Sequence, residues 1–188
     1  MNRLLFLLFC LPIIGFAQQT YVPDDNFENY LENNGMGNGI ANDNYVFTSN
    51  INFLTVTQLT IPGLGILDLT GIEDFSYLSV LNCNSNNLTT LDLSNNQNLV
   101  TIKCKNNQLT SLDLRNGNNS AINTFLFSGN LNLSCISVDI PSYFMSNWGS
   151  STIFATSCSV YGCMDTLALN YDPTSLVDDS SCTYAEIN

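Results

Sequence analysis

The chain contains no histidine and only four cationic side chains, Arg3, Lys103, Lys105 and Arg115. The first absence removes the commonest general base, the Ser-His and Cys-His nucleophile pairs and every His-liganded metal site. The second, set against 16 carboxylates and a formal net charge of −12, removes the basic footprint that nucleic-acid binding needs. Paired carboxylates can hydrolyse a glycoside, but no pair here sits in a setting that would raise a pKa, so catalysis is not expected. Long apolar runs are also scarce. The single one, Leu4 to Phe16, is too short, and too promptly followed by polar sequence, for a membrane span. What remains is 188 residues, 45% of them apolar, enough for one modest domain or a small array.

That apolar run reads as part of a secretory signal over residues 1–17. Asn2 and Arg3 precede it, and Gly15 and Ala17 occupy the small-residue positions before a cut ahead of Gln18. Cys10 is expected to leave with it, because Phe9 stands where a lipid-acceptor motif has a small residue. The product is then exported, more acidic still without Arg3, and either secreted or held at the cell surface by other means.

From Leu59 to Val138 an apolar pattern returns at nearly constant intervals. LNCNSNNLTTLDLSNNQNL, beginning at Leu81, superimposes on IKCKNNQLTSLDLRNG, beginning at Ile102. The inward pairs are Leu59 with Ile61, Leu81 with Cys83, Ile102 with Cys104 and Phe125 with Phe127, so successive turns span 22, 21 and 23 residues. Leu88 and Leu109 follow seven places on, and Leu91 with Leu93 and Leu112 with Leu114 follow ten and twelve places on. Asn86, Asn107 and Asn130 each stand five places after the start of a turn. A triplet with two apolar residues points both to one side of a short strand. One turn alone cannot bury them, so turns must stack and share a core. The Asn side chains are expected to satisfy backbone groups that a bending chain leaves unpaired.

This pattern resembles the leucine-rich repeat signature, most closely the short-period form of internalin-like bacterial surface proteins. The resemblance implies a mainly β fold: a short leucine-rich repeat solenoid over 59–138 with a helical N-terminal cap over 18–58 and a disulfide-stapled C-terminal cap over 139–160. In the N-terminal part, Pro23 and Asp24 start a helix, Asp25 and Glu28 favour its N-terminus, and Phe27, Tyr30 and Leu31 share a face until Gly35 ends it. A short strand is expected at 45–47. The opening VPDDNFE also looks like the start of many exported repeat proteins of this type. The first repeat departs from the pattern, with Leu64 in place of Asn and Pro62, Gly63 and Gly65 loosening the turn. In the loop Arg115–Ala121, Gly117 replaces the Asn of the half-turn. The segment IPSYFMSNW is expected to form a short helix whose Tyr143, Phe144 and Trp148 cover the last turn.

Strand alternation then fixes what faces out. Thr60, Asn82, Lys103 and Leu126, with Asn84, Lys105 and Ser128 two residues further along, form a strip along the stack. It is the candidate binding ribbon, small, nearly flat and without a closed pocket. On the opposite half-turns Asp92 and Asp113 face out one above the other with Arg115 beside them, while Asp68 falls out of register.

Six cysteines remain after processing, and export places them where disulfides persist. Cys83 and Cys104 occupy inward slots of adjacent turns and are expected to be unbridged, because a bridge between neighbouring parallel strands strains the geometry. Cys135 and Cys158 would staple the cap. Cys163 and Cys182 would close the tail, residues 161–188, on itself, for a gain of roughly 3 kcal/mol in the chain-entropy model. That tail, GCMDTLALNYDPTSLVDDSSCTY, looks like a Cys-bounded, Asp-rich motif of exported bacterial surface proteins, with Ser180 where Gly often stands. Asp165, Asp172, Asp178 and Asp179, with Asn170, are oxygen ligands of the kind Ca²⁺ prefers; they are equally the residues of turns, and the spacing leaves both readings open.

The resemblance implies a non-catalytic extracellular binding module, adhesion-like, that recognises a protein or a glycan through its ribbon. The alternative is a structural spacer or surface-layer component, calcium-stabilised through its tail.

Overall fold

A computed structural model describes residues 18–149, 152–158, 161–172, 175, 177–178 and 180–185. The expected signal at 1–17 and Asp179 of the candidate calcium set lie outside the described residues. Among the described residues no helix is long and apolar enough to cross a membrane.

The chain opens with strand β1 (Gln19–Tyr21), helix α1 (Asp25–Asn33), strand β2 (Tyr45–Phe47) and helix α2 (Thr48–Ile51), and β1 pairs with β2 antiparallel. The central coil then alternates between two parallel sheets. The first, β3 (Gln58–Thr60), β4 (Val80–Asn82), β6 (Thr101–Lys103) and β8 (Thr124–Leu126), has the order β3-β4-β6-β8. The second, β5 (Thr90–Asp92), β7 (Ser111–Leu114), β9 (Cys135–Val138) and β10 (Ile153–Ala155), has the order β10-β9-β7-β5. Helix α3 (Pro141–Trp148) lies between β9 and β10, and a small pair, β11 (Tyr161–Gly162) and β12 (Val177–Asp178), forms the tail.

Register follows the sequence period. Leu59, Leu81, Ile102 and Phe125 are direct partners across the first sheet, as are Leu91 and Leu112 across the second. All are buried, with Ile61, Cys83, Cys104, Leu88, Leu93, Leu109 and Leu114 in one continuous cluster. Each fully buried aliphatic side chain contributes on the order of 2 kcal/mol, and only a stacked neighbour can remove both of its faces from water.

The Asn residues bind each turn to the one before. Asn86 accepts from the backbone N–H groups of Leu64 and Ile66 and donates to the carbonyls of Ile61 and Cys83. Asn107 accepts from Leu88 and donates to Cys83 and Cys104, and Asn130 accepts from Leu109 and donates to Cys104 and Phe127.

Two expectations for the turns are corrected. Gly63 does not loosen the first repeat: it has φ 68°, and Ser85, Asn106 and Gly129 at the same place in later turns have φ 58°, 54° and 84°. Each turn therefore needs one left-handed residue just past the strand, a conformation glycine adopts without penalty. Nor is the half-turn Asn lost at Gly117. Asn96, Asn116 and Asn119 are all buried, with Asn96 donating to the Ile72 and Phe75 carbonyls, Asn116 to that of Asn96 and Asn119 to that of Leu114. They form a second series of Asn bridges on the far side of the coil.

Cys135 is bridged to Cys158 and Cys163 to Cys182, while Cys83 and Cys104 are free and buried.

Candidate functional site

The outward strip rests on the first sheet. In register across it stand Thr60, Asn82, Lys103 and Leu126, and beside them Gln58, Val80, Thr101 and Thr124. Asn84, Lys105 and Ser128 continue the strip where the strands end. Asn82 accepts from the Asn84 backbone N–H, and Asn84 from that of Lys105 at 2.8 Å. The two amides are thus partly committed to holding neighbouring turns. Lys103 and Lys105 are not: among the described residues neither takes part in an ion pair. None of these outward residues carries a carboxylate, so the strip is a positive patch on a strongly acidic chain.

The second sheet presents the opposite chemistry. Asp92 and Asp113 are register partners, and like charges so placed in parallel strands, about 4.8 Å apart, repel. Arg115 relieves that with an ion pair to Asp113, further Nε–H bonds to the same carboxylate and an Nη1 bond to the Thr156 carbonyl. Partial burial pushes Asp113 upward, but the Arg115 side chain, backbone N–H and charge outweigh it, and its pKa is held below the usual range. Asp68 belongs to none of these strands.

Nucleophile chemistry finds no support in the free thiols. Burial pushes Cys83 up to about 12, and burial with the neighbouring Cys83 pushes Cys104 up as well, so neither supplies a thiolate at neutral pH. The carboxylates along an open notch of about 300 Å³ beside β5 accept from nearby backbone: Asp68 from Thr70, Glu73 from Gly71 and Asp92 from Ser94.

In the tail, Asp165 accepts from the Leu167 backbone and the Tyr184 hydroxyl, Asp178 from the Ser180 backbone, and Asn170 from the backbone and hydroxyl of Thr183. The backbone of Asp172 bonds the Cys163 carbonyl. Among the described residues no three Cys, Asp or Glu side chains converge as a metal site, and the carboxylates whose bonds are described fasten turns.

Sequence reasoning missed Glu28 as more than a helix-start charge. It is 0% exposed and accepts from the N–H groups of Asp43 and Asn44. Desolvation raises its pKa above the usual 4.5, against the lowering effect of those two bonds. The only signal was an acid on the apolar side of a short helix.

No family model matches the chain, and the comparison with curated proteins finds no match. Among solved structures, the functional domain of InlJ from Listeria monocytogenes, described as including a cysteine ladder, is similar at 25% identity over 80% of this chain, with a TM-score of 0.45. This chain spans 31% of that one.

Proposed function

We propose that the protein is an exported, non-catalytic leucine-rich repeat module of the internalin-like type, whose central coil is a capped solenoid that binds an extracellular protein or glycan through the strip Thr60, Asn82, Asn84, Lys103, Lys105, Leu126 and Ser128. The observation that carries this reading is the pairing state of Lys103 and Lys105. Two neighbouring lysines that form no ion pair among the described residues, in a chain of net charge −12, keep their charge for a ligand, and carboxylate-bearing glycans and acidic protein surfaces supply its complement. The parallel register supports the reading by giving a rigid platform that loses little order on binding. Persistent disulfides favour an oxidising location.

The test is a glycan and extracellular-protein array probed with residues 18–188, alongside the double variant Lys103→Glu, Lys105→Glu. The reading expects ligands whose binding is lost in the double variant and kept in Asp92→Asn on the opposite sheet. Ligands indifferent to both lysines move the function to another face, and an array without ligands favours the spacer reading.

A further inference from the structure

The two sheets are staggered along the stack. The first runs from β3 to β8, whereas the second begins a turn later at β5 and continues past β9 to β10. Each end therefore carries a notch beside an unpartnered strand. The one along β5 is lined by Asp68, Glu73 and Asp92. The one along β8 is an open groove of about 450 Å³, in which Lys105 is the single charged lining residue and Leu126, Phe127, Leu131 and Leu133 supply the apolar wall.

In the preceding turns the residues just past the strand donate to the next one. The backbone N–H of Cys83 bonds the Lys103 carbonyl and that of Ser85 the Lys105 carbonyl; Cys104 and Asn106 do the same to Leu126 and Ser128. Phe127 and Gly129 are the next in this series. No strand follows β8 in the sheet, and among the described residues their N–H groups have no partner. Beside them Leu131 is 96% exposed. These two donors stand where Cys104 and Asn106 stand one turn earlier, meeting carbonyls two residues apart on the next chain segment, and they offer the same pair of bonds to an added strand.

We infer that the free edge of β8 takes an extended acidic segment of a partner protein as a fifth strand, its carbonyls meeting the Phe127 and Gly129 amides, a carboxylate meeting Lys105 and an apolar side chain resting on Leu131. This rests on the ribbon reading above, because β8 is the last strand of that strip, and it names the form of the partner. Charge selects the occupant. A second copy of a chain with net charge −12 brings repulsion to the contact, and the acidic notch at β5 repels what the groove at β8 attracts.

The experiment uses the oxidised chain, residues 18–188, and a blocked peptide of alternating Val and Asp, with a Val and Lys peptide as control. Amide hydrogen exchange and fluorescence polarisation are read together. Peptide saturation is expected to slow exchange at Phe127 and Gly129, with Leu131→Asp and Lys105→Glu each weakening affinity at least about tenfold at unchanged melting temperature. The lysine peptide is expected not to bind. Exchange at Phe127 and Gly129 unaltered by millimolar acidic peptide overturns the inference. So does binding abolished by Lys103→Glu yet indifferent to Leu131→Asp, which leaves the ribbon reading standing without the edge; an array that shows no lysine-dependent ligand removes the ribbon reading instead.

Discussion

At both ends of the stack apolar side chains cover the outermost turn, Val22, Phe27, Leu31, Val46 and Ile51 at the N-terminal end. The N-terminal cover, however, is fastened by carboxylates bonded to backbone, whereas the C-terminal one is a cluster of aromatic rings fastened by a disulfide. Asp24 shows the first strategy. One of its oxygens caps α1 by accepting from Phe27, and the other accepts from Leu67 and Asp68 in the first repeat. Glu28 ties α1 to the start of β2, Thr20 donates to Asp74, and β1 crosses so near Gly71 that a Cβ there would lie 2.9 Å from the Tyr21 carbonyl. At the other end Phe144 and Trp148 of α3 set their rings edge-on to Phe125, at 5.7 and 6.0 Å, and Phe154 meets Phe127 and Phe144. The Cys135–Cys158 bridge then fixes β9 to the chain beyond β10. The same geometric problem, an exposed last turn, is answered at both ends with apolar area, held at one end by directional carboxylate bonds and at the other by a covalent bridge, and the two fastenings fail under different conditions.

Removing area should have the largest effect. Phe144→Ala leaves a cavity under the C-terminal turn and is expected to cost about 3–5 kcal/mol, measured by urea denaturation; a loss below about 1 kcal/mol would show that the ring cluster collapses freely and that the contrast between the ends is false. Next comes the bridge. Replacing Cys135 and Cys158 together by Ser should cost about 3 kcal/mol, read as a shift in melting temperature; reductant, which also opens Cys163–Cys182, should lower the melting temperature of the parent more than that of the variant. Reduction should leave hydrogen exchange in α1 unchanged.

Asp24→Ala should cost about 2 kcal/mol, combining a lost helix cap with stranded backbone donors in the first repeat. Exchange at Phe27 and Leu67 should accelerate while α3 stays protected. The smallest effect is the pH response of Glu28. Its folded pKa lies above the unfolded 4.5, so between the two values the folded state holds more protons than the unfolded state, and stability falls as pH rises through that window. The stability advantage of the parent over Glu28→Gln should therefore shrink from below pH 4.5 toward neutrality; an advantage that grows with pH would place the carboxylate in a favourable rather than a desolvated setting.

Much of the coil was legible before any coordinates. Pairs such as Leu81 with Cys83 and Ile102 with Cys104 announce their register by spacing alone, because a strand that buries alternate residues has few ways to stack on a copy of itself. Asn86, Asn107 and Asn130 were legible for the same reason. The second Asn series was not: Asn116 and Asn119 break the repeat period, and only the path of the loop brings their amides to the carbonyls of Asn96 and Leu114. Alternation puts Thr60, Asn82, Lys103 and Leu126 on one face of the first sheet, where they are register partners, but that Lys103 and Lys105 form no ion pair among the described residues depends on where Asp92, Asp113 and Arg115 go, which no local pattern states.

The sequence by itself therefore determined the period, the inward faces and the sign of the charge on each face, since these follow from residue spacing and side-chain polarity within a single turn. The tertiary structure alone decided how the turns are terminated: the burial of Glu28, the overhang of β10 past β8, and the amides of Phe127 and Gly129, unpartnered among the described residues. Those depend on distant segments meeting, and a chain read one residue at a time carries the strength of each contact without the place where it is made.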